Sequence, residues 1–252
     1  VLVPGLVVFL DDGGVMNDNR RRAQQWQRLV GGFFTPLLGG TPEAWAEANR
    51  IVAAGLFDPA AWRARLWAAP DYASFERAYL LDWLSQMCAL VGVPGPPAEE
   101  SVDLARRAGA WIIRRVDAAF PGVVDAVRLL HARGYALHTA SGESSADLQS
   151  YLDGMGLRDC FGRLYGPDLI DTFKEGPEYY ERLLSDAGVA PAHALVVDDS
   201  LHALDWAALA GAQTVLVGTS PSPATRAMHR IGSLTELPEL VERLGCGDQG
   251  GM

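Results

Sequence analysis

The feature that most limits how this chain can fold is a four-residue apolar run, Val7-Val8-Phe9-Leu10, that stops at Asp11-Asp12-Gly13-Gly14-Val15. Four β-prone residues bounded by an acidic pair and two glycines read as a buried strand ending in a tight loop. A strand without a polar face needs a sheet to bury it, and the next hundred or so residues are helical in pattern, so its neighbours must come from much later in the chain. Open α/β sheets place their chemistry at the carboxyl ends of such strands, which is where Asp11 falls.

From Asp18 to Phe120 helix start signals recur at intervals. Asp18 or Asn19 caps a helix over Arg20–Gln27, Thr41-Pro42-Glu43 opens one that Gly55 closes, and Asp58-Pro59 opens another. Ala73 to Val91 carries apolar residues at helical spacing, Pro94-Gly95-Pro96-Pro97 breaks the chain, and a last helix runs from about Glu99 to Ala118. Six of the seven tryptophans lie in this block: Trp26, Trp45, Trp62, Trp67, Trp83 and Trp111. At helix spacing they are expected in its core.

From Pro121 the rhythm changes. Helices over Gly122–Arg133, Ser145–Met155, Pro177–Ala187, Ala203–Ala210 and Leu237–Leu244 interleave with strands over Tyr135–His138, Arg163–Tyr165, Ala194–Val197 and Thr214–Val217. Such alternation predicts right-handed βαβ units and a parallel sheet. The predicted architecture is α/β, with a core built from residues 1–17 and 119–252 and a helical domain over 18–118 inserted into it. The tail Gly245–Met252 is expected to fray.

Composition narrows the partners. A net charge of −10 argues against nucleic acid or an anionic membrane surface. With 49% apolar and 21% charged residues the chain can bury a sizeable core. Cys88, Cys160 and Cys246 are scattered without metal-ligand spacing, which points away from a disulfide framework or zinc and toward a reducing cytoplasm. No run approaches the roughly 18 apolar residues of a membrane span, and the first residues lack the basic region of a signal peptide, so a cytoplasmic location is expected. The sequence does not set the oligomeric state. Of the 21 basic residues only Lys174 is lysine. That is either codon bias with one survivor or a position needing a compact ammonium in place of a guanidinium fork.

Four strand ends or loops then converge on one edge of the predicted sheet: Asp11-Asp12, Thr139-Ala140-Ser141, Lys174 and Asp198-Asp199-Ser200. Asp11 with Asp198 and Asp199 offers hard oxygen ligands suited to Mg²⁺. Thr139 offers a hydroxyl, the backbone N–H groups after it can face an anion, and Lys174 supplies a point charge for phosphate. A carboxylate that attacks phosphorus needs both metal and lysine, because it and a phosphate dianion repel each other.

On these residues the chain resembles the haloacid dehalogenase superfamily over its whole length. Val7 to Asp18 looks like the first motif, Leu137-His138-Thr139-Ala140-Ser141 the second, Phe173 to Tyr180 the third, and Val196-Val197-Asp198-Asp199-Ser200 the acidic fourth. The resemblance implies a Rossmann-like three-layer α/β/α core with an α-helical cap, and a Mg²⁺-dependent phosphatase acting on a small phosphorylated metabolite through an aspartyl-phosphate. It implies Asp11 as nucleophile, Asp11, Asp12, Thr139, Ala140 and Lys174 around the phosphoryl group, and Asp11, the Gly13 carbonyl, Asp198 and Asp199 around the metal. The dehalogenases of the superfamily need no Mg²⁺ and lack the acidic pair of the fourth motif, so Asp198-Asp199 points to phosphate chemistry. Phosphonoacetaldehyde hydrolases use a cap lysine, which this chain does not have.

Gly13 departs from the pattern. Family phosphatases carry there the Asp that protonates the leaving oxygen, and losing a general acid/base typically costs ~10²–10⁴ in rate. Three readings stay open: a substrate with a good leaving group, a substitute acid among Asp12, Glu143, Glu175, His202 or a cap residue, or a protein that binds a phosphorylated ligand with little turnover. His138, inside a strand pattern, reads as a packed histidine, and Ser200 as a helix cap.

Overall fold

The computed structural model of the chain describes residues 5–218 and 227–247, with side chains as far as Gly245. Of the tail expected to fray, residues 248–252 lie outside the described residues, as does the Cys246 side chain. Backbone contacts divide the chain into two compact units, one of residues up to Asn19 and from Ala118 on, the other Arg20–Asp117.

In the first unit β1 (Val7–Leu10), β2 (Ala136–Ala140), β3 (Leu164–Tyr165), β4 (Ala194–Asp198), β5 (Gln213–Val217) and β6 (His229–Ile231) form one parallel sheet. Their order is β3-β2-β1-β4-β5-β6. The apolar run Val7–Leu10 sits at the centre of the sheet, paired to β2 on one side and β4 on the other. The chain steps from β1 out to β2 and β3, then returns past β1 to β4, which makes the carboxyl end of β1 the switch point where α/β sheets bind their ligands.

Alternation along β1 explains the three layers. Val8 and Leu10 face a core completed by α6 (Val123–Ala132), α7 (Ser145–Met155) and α11 (Leu237–Gly247). Phe9 faces the opposite core, filled by Tyr179, Tyr180 and Leu183 of α9 (Pro177–Ala187) and Leu204 of α10 (Leu201–Leu209). Both faces are covered, so β1 tolerates no polar side chain. Ser200 caps α10 as expected, and His138 packs between Phe9 and Tyr165 while its Nδ1 accepts the Arg163 amide. The strand β6 was not expected, because three residues including Arg230 show no period and pairing with β5 alone defines it. So was the single turn α8 (Pro167–Ile170).

The second unit is helical: α1 (Asn19–Leu38), α2 (Pro42–Leu56), α3 (Pro59–Ala68), α4 (Tyr72–Val91) and α5 (Ala98–Ile113). Thr41, Asp58 and Asp71 cap α2, α3 and α4 by accepting backbone N–H bonds from the first turn. Two expected boundaries move. Helix α1 continues past Gln27 through Gly31 to Leu38; Gly31 lies so close to the start of α2 that a Cβ there would stand 2.5 Å from Pro42 Cα. The glycine marks a close approach and leaves the helix unbroken. Helix α5 ends at Ile113, short of Ala118, because the following backbone is used differently: Asp18 donates to the Ala118 carbonyl and Phe120 to that of Met16.

The tryptophans expected in the core differ in burial. Trp45 and Trp83 are buried, Trp45 stacking on Phe34 with ring centroids 4.8 Å apart and donating to the Gly39 carbonyl. Trp83 donates to Asn49 Oδ1 at 2.9 Å. Trp67 is 84% exposed. Among the described residues no helix is long and apolar enough to cross a membrane.

Candidate active site

The site is built entirely on the first unit. Asp11 follows the last residue of β1 and is held there by its own N–H, which donates to the Val197 carbonyl of β4 at 3.0 Å. Asp198 ends β4 one step further along the same edge. Asp11 is 8% exposed and Asp198 1%. Lys174 arrives from the loop between α8 and α9 and spends its three ammonium protons on three acceptors. These are Asp198 Oδ2 at 2.6 Å, the Ala140 carbonyl at 2.8 Å and Asp11 Oδ1 at 2.9 Å. The lone lysine of the sequence therefore joins the ends of β1, β2 and β4. A guanidinium fork could not converge on three acceptors in this way.

The electrostatics follow from that crowding. Burial works against the charge on Lys174, but Asp11 first, then Tyr180, Asp198 and Tyr179, together keep the ammonium well above the ordinary lysine range. Burial, with repulsion from Asp11, pushes Asp198 up to about 6 despite the lysine. Burial and Asp11 raise Asp199 as well. Ligand oxygens of Asp11, Asp198 and Asp199 all lie within 4.8 Å of one another. Three carboxylates facing one ammonium leave negative charge uncompensated, and a hard divalent cation fits both the oxygen donor set and the charge. The loop after β1 touches this cluster too: Gly14 has φ +90°, and the space a Cβ would need is filled by the Asp199 carboxylate.

Three residues expected at the phosphoryl group, Thr139, Asp12 and Ala140, each make bonds within the protein. Thr139 pairs with Leu10 inside the sheet, is fully buried, and donates its hydroxyl to the Tyr165 carbonyl at 3.2 Å, so that hydroxyl stays within the strand layer. The strand was expected to end at His138; it runs on to Ala140, and Ser141, the hydroxyl residue just past its end, is itself 2% exposed. Ser141 is anchored by its N–H to the Tyr165 carbonyl and by its carbonyl to the Tyr179 hydroxyl, while its Oγ accepts the Glu143 amide at 3.3 Å. The Ala-Ser-Gly turn was the available signal. The Asp12 side chain is fully buried, its Oδ1 accepting from Asn17 Nδ2 at 2.7 Å. This removes Asp12 as a substitute proton donor. The Ala140 carbonyl accepts from Lys174, while the group expected to face an anion there is the backbone N–H.

Comparison with known proteins gives a consistent picture. A family model described as haloacid dehalogenase-like hydrolase matches residues 34–212. The probable phosphatase IndB of Dickeya dadantii is 34% identical over 92 residues, covering 36% of this chain and 40% of that protein. Hexitol phosphatase B of Escherichia coli is 25% identical over 150 residues, 57% of this chain and 66% of its own length. The chain thus spans less than two thirds of the curated relatives it matches. The L-2-haloacid dehalogenase of Xanthobacter autotrophicus superposes with a TM-score of 0.63 at 19% identity over 94% of this chain and 98% of that one, a likeness of fold. Since the family match runs from the helical unit through the βα alternation to Ala212, the chain belongs to the haloacid dehalogenase-like hydrolases.

Proposed function

We propose that the carboxyl edge of the sheet hydrolyses a small phosphorylated metabolite, with Asp11 as the nucleophile. The observation that carries this reading is the Lys174 ammonium within hydrogen-bond reach of both Asp11 and Asp198. Asp11 attacks phosphorus, the bond from phosphorus to the leaving oxygen breaks, and water then cleaves the aspartyl-phosphate to inorganic phosphate and the free carboxylate. Lys174 offsets the repulsion between carboxylate and phosphate, and the Ser141 hydroxyl donates to a phosphoryl oxygen. Asp11, Asp198, Asp199 and the Gly13 carbonyl would hold Mg²⁺, which supplies further charge neutralisation when bound. The phosphatase names of the curated relatives support the same reading.

Gly13 puts no acid beside the leaving oxygen, so acyl and aryl phosphates, whose leaving groups need little protonation, are the better substrates. The same glycine favours a second reading, in which the site binds a phosphorylated ligand without turning it over. Hydrolysis of acetyl phosphate and p-nitrophenyl phosphate separates the two. Magnesium-dependent turnover that falls by on the order of 10³ or more in Asp11→Asn supports the enzyme. Saturable ligand binding with no turnover by the wild type supports the binder.

A further inference from the structure

Asp12 stands between the proposed nucleophile and the proposed carbonyl ligand Gly13, yet its side chain takes neither role. Asp12 and Asn17 are both buried and joined at 2.7 Å. They are tied through the backbone as well: the Asp12 carbonyl accepts from Met16 at 2.8 Å and Asn17 at 2.9 Å, and Gly14 donates to the Asn17 carbonyl at 2.7 Å. A buried carboxylate is costly unless it is hydrogen-bonded, and Asn17 supplies one such bond, to Oδ1. The loop they close contains Gly14, where an added Cβ would stand 2.1 Å from an Asp199 carboxylate oxygen. The shape of the loop therefore sets where Asp199 can sit.

We infer that the Asp12–Asn17 pair positions the acidic cluster: by fixing the loop that seats Asp199, it sets the affinity of Asp11, Asp198 and Asp199 for a divalent cation. The inference rests on reading those three residues as a cation site. Calorimetric titration of the full chain with Mn²⁺ tests both, without recourse to activity. Asp199→Asn abolishes binding if the site reading holds; unchanged binding overturns that reading. For the pair, Asp12→Ala and Asn17→Ala each weaken Mn²⁺ about ten-fold. The double variant is no weaker than either single one, as coupling through one contact requires. Asp12→Asn keeps an acceptor oxygen for Asn17 and binds within about two-fold of wild type. Wild-type affinity in folded Asn17→Ala overturns the inference. So does an Asp12→Asn variant as weak as Asp12→Ala, since charge alone would then act. If Asp12→Ala does not fold, Asn17→Ala and Asp12→Asn carry the test.

Discussion

The two units were equally readable as secondary structure and unequally readable as packing. In the helical unit, Thr41, Asp58 and Asp71 announce their helices, yet nothing local distinguishes buried Trp45 from exposed Trp67. In the sheet unit a single apolar run locates the centre of the fold, because a strand covered on both faces has only one place to go. The lesson is about period. A short strand buried on both faces needs no choice of face, whereas a helix rich in aromatics leaves its buried stripe to be chosen by its neighbours.

That contrast can be broken by substitution. The largest effect belongs to the helical unit: Trp45→Ala, which removes the stack on Phe34 and the bond to Gly39, should cost about 3–5 kcal/mol in denaturant unfolding. Trp67→Ala should stay within about 0.5 kcal/mol. Equal costs would mean that Trp67 is buried in solution.

Next in size is the contrast at the end of β2. Ser141→Ala should lower kcat/KM for acetyl phosphate by roughly 10², the cost of losing one positioned donor. Thr139→Val should act mainly on stability, leaving kcat/KM close to wild type, since its hydroxyl is used by Tyr165. The reverse ranking would return the phosphate contact to Thr139.

The smallest effect is a pH dependence. Burial holds His138 below its ordinary value of 6.5, so the native state prefers the neutral ring. Its Nδ1 already accepts the Arg163 amide and protonation would forfeit that bond. The stability it contributes is complete above pH 6.5 and is lost as pH falls from there through the folded-state pKa. Unfolding free energies from pH 8 down to 5 should therefore fall more steeply in wild type than in His138→Phe. Parallel slopes would mean that the ring titrates normally.

Much of the site was legible before any coordinates. Asp11 was fixed at a strand end by the apolar run before it, and Asp198-Asp199 by β4. Lys174 was singled out as the one lysine among arginines. The end of β2 is less legible: the apolar pattern stops at His138, whereas the strand runs to Ala140. Strand ends are decided by pairing, and here β2 follows β1 out to Leu10 and β3 out to Tyr165. The Asp12–Asn17 bond is hidden for a related reason, because it depends on how the loop closes.

By itself, then, the sequence determined the βα alternation, the central strand, the acidic strand ends and the single lysine, since each is written in local period, capping chemistry or residue type. Tertiary structure alone decided that Lys174 meets Asp11 across 163 positions, that β2 runs past Thr139 to Ala140, and that Asp12 pairs with Asn17. The physical reason is that side-chain direction alternates along a strand. A one-residue difference in register or facing, settled only by neighbouring strands and helices, moves a group from the edge into the core.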